Sequence, residues 1–291
     1  MRRVVIGVVS DTHGGHKLGL LNPETTLQQE DESGNLVPYV PKLTATQEYL
    51  WRLYLRHIAE VSAFAGGDKL VLIQNGDGTQ GNRYPEHLVS TRMSDQIVIG
   101  VHNLKPWFEV ADVTWARLAK GTGSHVMGEG SSEILIAEQL QALYPEADIA
   151  VLYHGLLDVD GVELDYAHHG PYPGSRNWLR GNVARYDIRS YMLDELSSGR
   201  TPARVLLRAH YHQWIPPESL SLEFMGEMYT TTLVMTPSYC GMGAHGQQAT
   251  RSAFGQTFGM VAIEVLDGRL GEIRAFKETL DLRTKERLAD D

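Results

Sequence analysis

Two short segments of this 291-residue chain place metal-binding side chains two positions apart: Asp11-Thr12-His13 and His210-Tyr211-His212. If the backbone is extended, residues i and i+2 leave on the same side, so one divalent ion can take both. Imidazole is the commonest ligand for borderline transition metals, and the pair at 210 and 212 can serve one ion or two adjacent ones. Three further segments carry related chemistry. Gly76-Asp77-Gly78 offers a carboxylate on a backbone free to bend sharply, Gly121-Thr122-Gly123-Ser124-His125 offers a serine and an imidazole among glycines, and His168-His169-Gly170 offers two adjacent imidazoles. Taken singly, an Asp or His opening a loop is more often a cap or turn residue than a ligand. Taken together, two carboxylates and several imidazoles are the ligand inventory of a dinuclear hydrolytic centre.

These segments share a context that can bring them together. Each follows an apolar, strand-like run: Val4 to Val9, Lys69 to Gln74, Val113 to Ala119, Val162 to Ala167 and Val205 to Ala209. In open α/β sheets ligands collect beyond the carboxyl ends of strands, so distant clusters can converge. Between the runs, apolar residues recur with helical period over Thr46 to Phe64, Ser94 to Leu104, Ser132 to Leu143 and Asn182 to Ser198. Thr44 and Gln47 suit a capping box, and Gly199 suits a helix stop. Strand and helix alternate through the first half, which argues for a layered α/β fold. After His212 come short β-type runs, and Asp160-Gly161 and Asp267-Gly268 signal hairpins, so the second half is expected to add antiparallel strands and give two sheets around one core. Leu18 to Lys42 and Gly78 to Thr91 read as long loops. One domain is expected over residues 1–283, with a flexible tail at 284–291.

The balance of charge narrows the function. A formal net charge of −10 disfavours binding of long nucleic acid through its phosphates. The single Cys240 forms no internal disulfide, and there is no cysteine cluster for structural zinc. The apolar run after Met1-Arg2-Arg3 ends at Ser10-Asp11 and reads as a buried first strand rather than a leader. No run approaches the roughly 18 apolar residues of a membrane span, so the expectation is a soluble, cytoplasmic protein with no membrane partner.

The ordered set Asp11-x-His13, Gly76-Asp77, Gly123-Ser124-His125, His169-Gly170 and His210-x-His212 resembles the signature of the calcineurin-like metallophosphoesterases, and its wording is similar to a branch found largely in bacteriophages and prophages. The resemblance implies a four-layer α/β/β/α sandwich with two mixed β-sheets and a site for two divalent metal ions. It implies that Asp11, His13, Asp77 and His212 hold one ion, that Asp77, His169 and His210 hold the other, and that Asp77 bridges them. Ser124 stands where the family has a metal-binding Asn, and Ala209 where it has a Gly. His125 takes the place of the histidine that meets the substrate's phosphoryl or leaving-group oxygen. Mixed carboxylate and imidazole ligation suits Mn²⁺, Fe, Zn²⁺ or Ni²⁺ better than Mg²⁺ or Ca²⁺, and two Mn²⁺ ions are the expected occupants.

The expected activity is hydrolysis of a phosphodiester by attack of a metal-bridging hydroxide, on a small phosphoester, a nucleotide or a nucleic-acid end. The alternatives are a phosphomonoesterase and a binding scaffold without turnover. Arg176, Arg180, Arg185 and Arg189, near Trp178 and Tyr186, form either a phosphate-facing patch or a solvated basic helix face. The remaining histidines, including His16 and His87, carry no motif.

Overall fold

The computed structural model describes residues 2–125, 131–173, 179–249 and 253–287. Val4, Ile6 and Val8 of strand β1 (Arg3–Val9) face one apolar cluster, and Val5 and Val9 face another. A strand apolar on both faces must be covered on both. β1 therefore lies inside a six-stranded sheet, between β12 (Gly255–Leu266), which runs antiparallel to it, and β4 (Lys69–Gln74), which runs parallel. β5 (Trp115–Ala119) and β6 (Asp148–Leu152) continue the parallel side, and β13 (Arg269–Asp281) closes the other edge.

A second sheet has five strands, ordered β10 (Glu218–Phe224), β11 (Glu227–Met235), β9 (Val205–Arg208), β8 (Val162–Ala167) and β7 (His154–Val159). Leu164, Tyr166, Val205, Leu207 and Val234 of this sheet share a core with Val4, Ile6, Val71, Ile73 and Ile263 of the first. Helices α1 (Ala45–Ala65), α2 (Met93–Glu109) and α3 (Ser131–Leu143) pack on the other face of the six-stranded sheet. Ala184, Ile188 and Met192 of α4 (Arg180–Ser197) pack against Leu206, Leu233 and Met235 of the five-stranded sheet. The protein is thus a mixed α/β structure with two mixed sheets facing each other. No helix of the described residues is long and apolar enough to cross a membrane.

Several departures from the sequence reading have local causes. The loop expected at Leu18 to Lys42 contains a small hairpin, β2 (Leu27–Glu30) with β3 (Leu36–Tyr39). Only Leu27 of β2 is buried, so there was little alternation to read. β6 is not evident from the sequence pattern, since it is an edge strand with no fully buried residue. The second half is not purely antiparallel: β8–β9 and β9–β11 are parallel, and β12 joins the first sheet. Helix α2 runs past its expected end at Leu104 and through Pro106. Proline cannot donate to the carbonyl four residues back, and here the Asn22 side-chain amide donates to that His102 carbonyl instead, at 3.1 Å. Both Asp-Gly turns form as expected, with positive φ at Asp160, Gly161, Asp267 and Gly268. The tail at 284–291 lies partly outside the described residues.

The N-terminus of α1 also serves the loop that follows β1. Thr44 and Gln47 form the expected capping box. In addition, Thr44 Oγ1 donates to the Lys17 carbonyl at 2.8 Å, and the Gln47 amide donates to the His16 carbonyl at 3.0 Å. Replacing the buried Gln47 by Ala removes half of the box and leaves the His16 carbonyl without this donor. The expected loss is about 1–2 kcal/mol, read as a lower midpoint with unchanged slope in urea denaturation.

Candidate metal centre

The ends of β1 and β4 are joined beyond the strands themselves. Asn75 N donates to the Val9 carbonyl, Asp11 N to Gly76, His13 N to Asp77 and Gly14 N to Gly78, all within 3.1 Å. This ladder fixes Asp11, His13 and Asp77 relative to one another. It does so without the extended backbone expected for Asp11-Thr12-His13. Asp11 and His13 both have positive φ, 51° and 44°, and so do Asp77, His210 and His212, at 52°, 77° and 52°. Non-glycine residues in this region cost on the order of 1–3 kcal/mol each, although Asp and His tolerate it better than most. Strain is therefore concentrated on five candidate ligands and is offset by the packing around them.

The carboxylates come from the first sheet, and the second sheet supplies imidazoles. Asp11 and Asp77 are fully buried, as are His13 and His168. His212 Nε2 lies 3.2 Å from Asp11 Oδ1, and His168 Nε2 lies 2.9 Å from Asp77 Oδ2. His13 Nε2 faces His212 Nε2 at 2.9 Å. Three groups have all their ligand atoms within 4.8 Å: Asp11, His13 and His212; His13, Asp77 and His125; and Asp77, His168 and His210. These buried His and Asp groups could hold metal ions. The donor set fits: Asp11 Oδ1 is buried without a hydrogen bond and faces imidazole nitrogens of His212, His13 and His168 at 3.2, 3.9 and 3.9 Å, and a cation among them would take its lone pairs.

Of the two adjacent imidazoles, His168 is the one that joins the cluster, where His169 was expected. Val162, Leu164 and Tyr166 of β8 point into the core between the sheets, and His168 continues that parity. His169 is exposed and belongs to none of these groups, its ring centroid lying 4.5 Å from that of His210 and 5.2 Å from that of His168. The alternation of buried residues along β8 was the signal that separates them. Gly76 allows the close approach, because a Cβ there would collide with the His168 ring.

Neighbours without a motif orient the ligands. His168 Nδ1 donates to the Asn75 carbonyl at 2.7 Å, which leaves Nε2 facing Asp77. Ser10 Oγ donates to Asp11 Oδ2 at 2.6 Å. Thr122 reaches both halves of the site: its N–H donates to Asp77 Oδ1 at 2.6 Å, and its hydroxyl bonds Asp77 Oδ2 and His210 Nδ1 at 3.2 and 3.0 Å. Ser124, by contrast, has no side-chain hydrogen bond to any candidate ligand among the described residues. His125 Nδ1 donates to the Gln80 carbonyl at 2.7 Å, and Thr79 Oγ1 donates to the His125 carbonyl at 2.7 Å. The His125 ring stands edge-on to His13, centroids 4.7 Å apart.

The cluster forms one wall of a cavity of about 620 Å³. Leu18, Tyr172, Tyr211 and Met242 give the cavity an apolar side, and His16, which carries no sequence motif, also lines it. The loop after β11 contributes Cys240 and Gly241, a strand end that the sequence reading did not count.

Electrostatics tie the two sheets together. Burial alone would raise both carboxyls, but imidazoles hold them well below the usual range, chiefly His212 and His168 at Asp11 and His168 at Asp77. Burial lowers His13 and His210 to about 4, whereas at His168 the Asp11 and Asp77 carboxylates outweigh burial and raise the imidazole to about 9.

No protein-family model matches the chain, and no curated protein matches it. Among solved structures, Vps29 of Chaetomium thermophilum is similar at 9% identity and a TM-score of 0.37, over 99% of this chain and 100% of that one. A hypothetical protein from Thermus thermophilus is similar at 13% identity and a TM-score of 0.36, over 95% and 99% of the two chains. Likeness at this level leaves the functional reading to this chain's own residues.

Two measurements check the site without any assay of activity. His212→Gly and His212→Ala both remove the imidazole, but only Gly relieves the positive φ. The Gly variant should be more stable by about 1 kcal/mol, and equal stabilities would show that the backbone is not strained there. The second is the pH dependence of chelator-treated protein. An imidazole raised above its ordinary 6.5 contributes stability fully below that value and loses it as pH rises through about 9, while lowered imidazoles destabilise as pH falls from 6.5 toward 4. Denaturant midpoints should therefore peak near pH 6.5 and fall on both sides. A midpoint that keeps rising through pH 9 would contradict the His168 environment.

Proposed function

We propose that this chain is a dinuclear metal-dependent phosphoesterase with an α/β/β/α four-layer sandwich, acting on phosphodiester bonds of nucleotide-like substrates. The observation that carries the reading is the convergence of Asp11, Asp77, His13, His168, His210 and His212 from the carboxyl ends of four strands in two sheets, with buried lone pairs facing one another. Asp11, His13, Asp77 and His212 would hold one ion and Asp77, His168 and His210 the other, with Asp77 common to both. Divalent ions held there lower the pKa of water and neutralise charge on phosphoryl oxygens. Mn²⁺ is the first candidate for such a mixed oxygen and nitrogen set, with Fe, Zn²⁺ and Ni²⁺ next.

The chain's own residues supply the rest. Thr122 and Asn75 fix the rotamers of Asp77 and His168. Because the Gln80 carbonyl takes the proton on His125 Nδ1, His125 Nε2 is the ring atom left for substrate, and His125 lines the cavity. There it would stabilise or protonate a departing oxygen. The apolar wall at Leu18, Tyr172, Tyr211 and Met242 gives an organic leaving group a surface to rest on. Ser124 is assigned no ligand role, and water is left to complete that ion's shell.

Chelator-stripped protein should hydrolyse bis-p-nitrophenyl phosphate only after Mn²⁺ is restored, and faster than it hydrolyses p-nitrophenyl phosphate. Asp77→Asn should abolish this turnover while the far-ultraviolet circular dichroism stays unchanged. His125→Ala should keep near-normal metal content and lose on the order of 10²-fold or more in turnover. Bound metal with no turnover on either ester would favour a binding scaffold instead.

A further inference from the structure

A second cavity, of about 480 Å³, lies beside the first. The two share one stretch of chain: His212 and Gln213 line the metal-site cavity, and Trp214, Ile215 and Pro216 line its neighbour. His212 and Trp214 are two residues apart, so their Cα atoms are separated by roughly 7 Å at most. A ligand spanning this stretch of chain would set one polar group at the histidines and the next in the second cavity.

The chemistry of this cavity is that of an anion site. Arg180 and Arg185 line it, with Asn182, against the one carboxylate of Glu218. Arg185 Nε is engaged by Glu218 Oε2 at 3.0 Å. Arg180 has no such partner: its Nε is buried without a hydrogen bond, and no carboxylate among the described residues pairs with it. A half-buried, unpaired guanidinium is costly in a protein and is relieved by an oxyanion that accepts its fork of donors. Arg180, Gly181 and Asn182 are also the first three residues of the 18-residue helix α4, whose N-cap, Leu179, makes no side-chain capping bond. The dipole of α4 adds to the same positive field. In a chain of net charge −10, this concentration of positive charge next to the histidine cluster is local and directed. Of the basic patch read from sequence, Arg180 and Arg185 line the cavity, Tyr186 is exposed on the same helix, and Arg176 and Trp178 lie outside the described residues.

We propose that this cavity is a phosphate subsite, which takes a second, non-reacting phosphate group of a substrate whose scissile ester lies at the His and Asp cluster. The inference rests on the phosphoesterase reading and narrows it, from phosphodiesters in general to short nucleotide chains with a phosphate next to the cleaved bond. Trp214, which lines the cavity, would stack on the sugar or base between the two phosphates.

The test compares the dinucleotides pTpT and TpT as substrates of the Mn²⁺-loaded protein, wild type and Arg180→Ala. The wild type should show a KM about tenfold lower for pTpT. Arg180→Ala should erase that advantage and leave TpT unchanged, and Arg180→Lys should restore part of it. Equal KM values in the wild type, or an equal loss on both substrates in Arg180→Ala, would overturn the subsite. A second measurement needs no turnover: calorimetric titration of chelator-treated protein with inorganic pyrophosphate should show binding in the wild type and not in Arg180→Ala. Absent binding in the wild type, or binding that Arg180→Ala leaves intact, would overturn the proposal. Arg180-dependent binding without hydrolysis of either dinucleotide would uphold the anion site and refute the phosphoesterase reading.

Discussion

Two carboxylates, Asp11 and Asp77, are buried almost completely and close together, and the rest of the structure is arranged around neutralising them. Like charges out of water are costly unless opposite charge is brought in. The six-stranded sheet, which carries both acids, supplies His13 and His125 to the groups around them. The other imidazoles, His168, His210 and His212, come from strands β8 and β9 of the facing sheet. The site is thus an electrostatic clasp between two sheets whose apolar faces already share a core along Ile6, Ile73, Leu164 and Leu207. The core sets the sheets' separation, and the clasp fixes their ends.

The same constraint explains where backbone strain is held. Positive φ at Asp11, His13, Asp77, His210 and His212 turns five side chains toward one volume, which regular strand geometry cannot do, since it sends alternate side chains to opposite faces. The ladder from Asn75 to Gly78 and the Thr122 bonds hold these conformers in place. Similar conformers serve turns at Asp160 and Asp267, but at the strand ends they fall on five candidate ligands.

Charge is distributed with a similar logic. The protein as a whole is acidic, yet the cavity at the start of α4 is lined by Arg180 and Arg185 against the one carboxylate of Glu218. A field confined to one cleft attracts a small anion without making the whole surface attractive to polyanions. The apolar wall from Leu18 to Met242 adds a surface for the uncharged part of such a ligand.

Local sequence was enough to specify most elements and the order of the chemistry along them. Val4 to Val9 and Lys69 to Gln74 are unbroken apolar runs, Thr44 with Gln47 is a local cap, and Asp160-Gly161 is a local turn; each is specified by neighbours in the chain, so each was legible without the fold. The side-chain parity of β8 was legible as well, and would have pointed to His168 over His169 had the alternation through Tyr166 been followed. The features settled by folding involve partners far apart in the chain. The left-handed conformers at Asp11 and His13 follow from pairing with Gly76 to Gly78, the Thr122 bridge needs both Asp77 and His210, and α2 passes Pro106 because Asn22 satisfies the freed carbonyl. Hydrogen bonds and charges of this sort have no period and no fixed spacing. They exist only once two sheets have been packed face to face, and that packing is set by the sum of many apolar contacts rather than by any one segment.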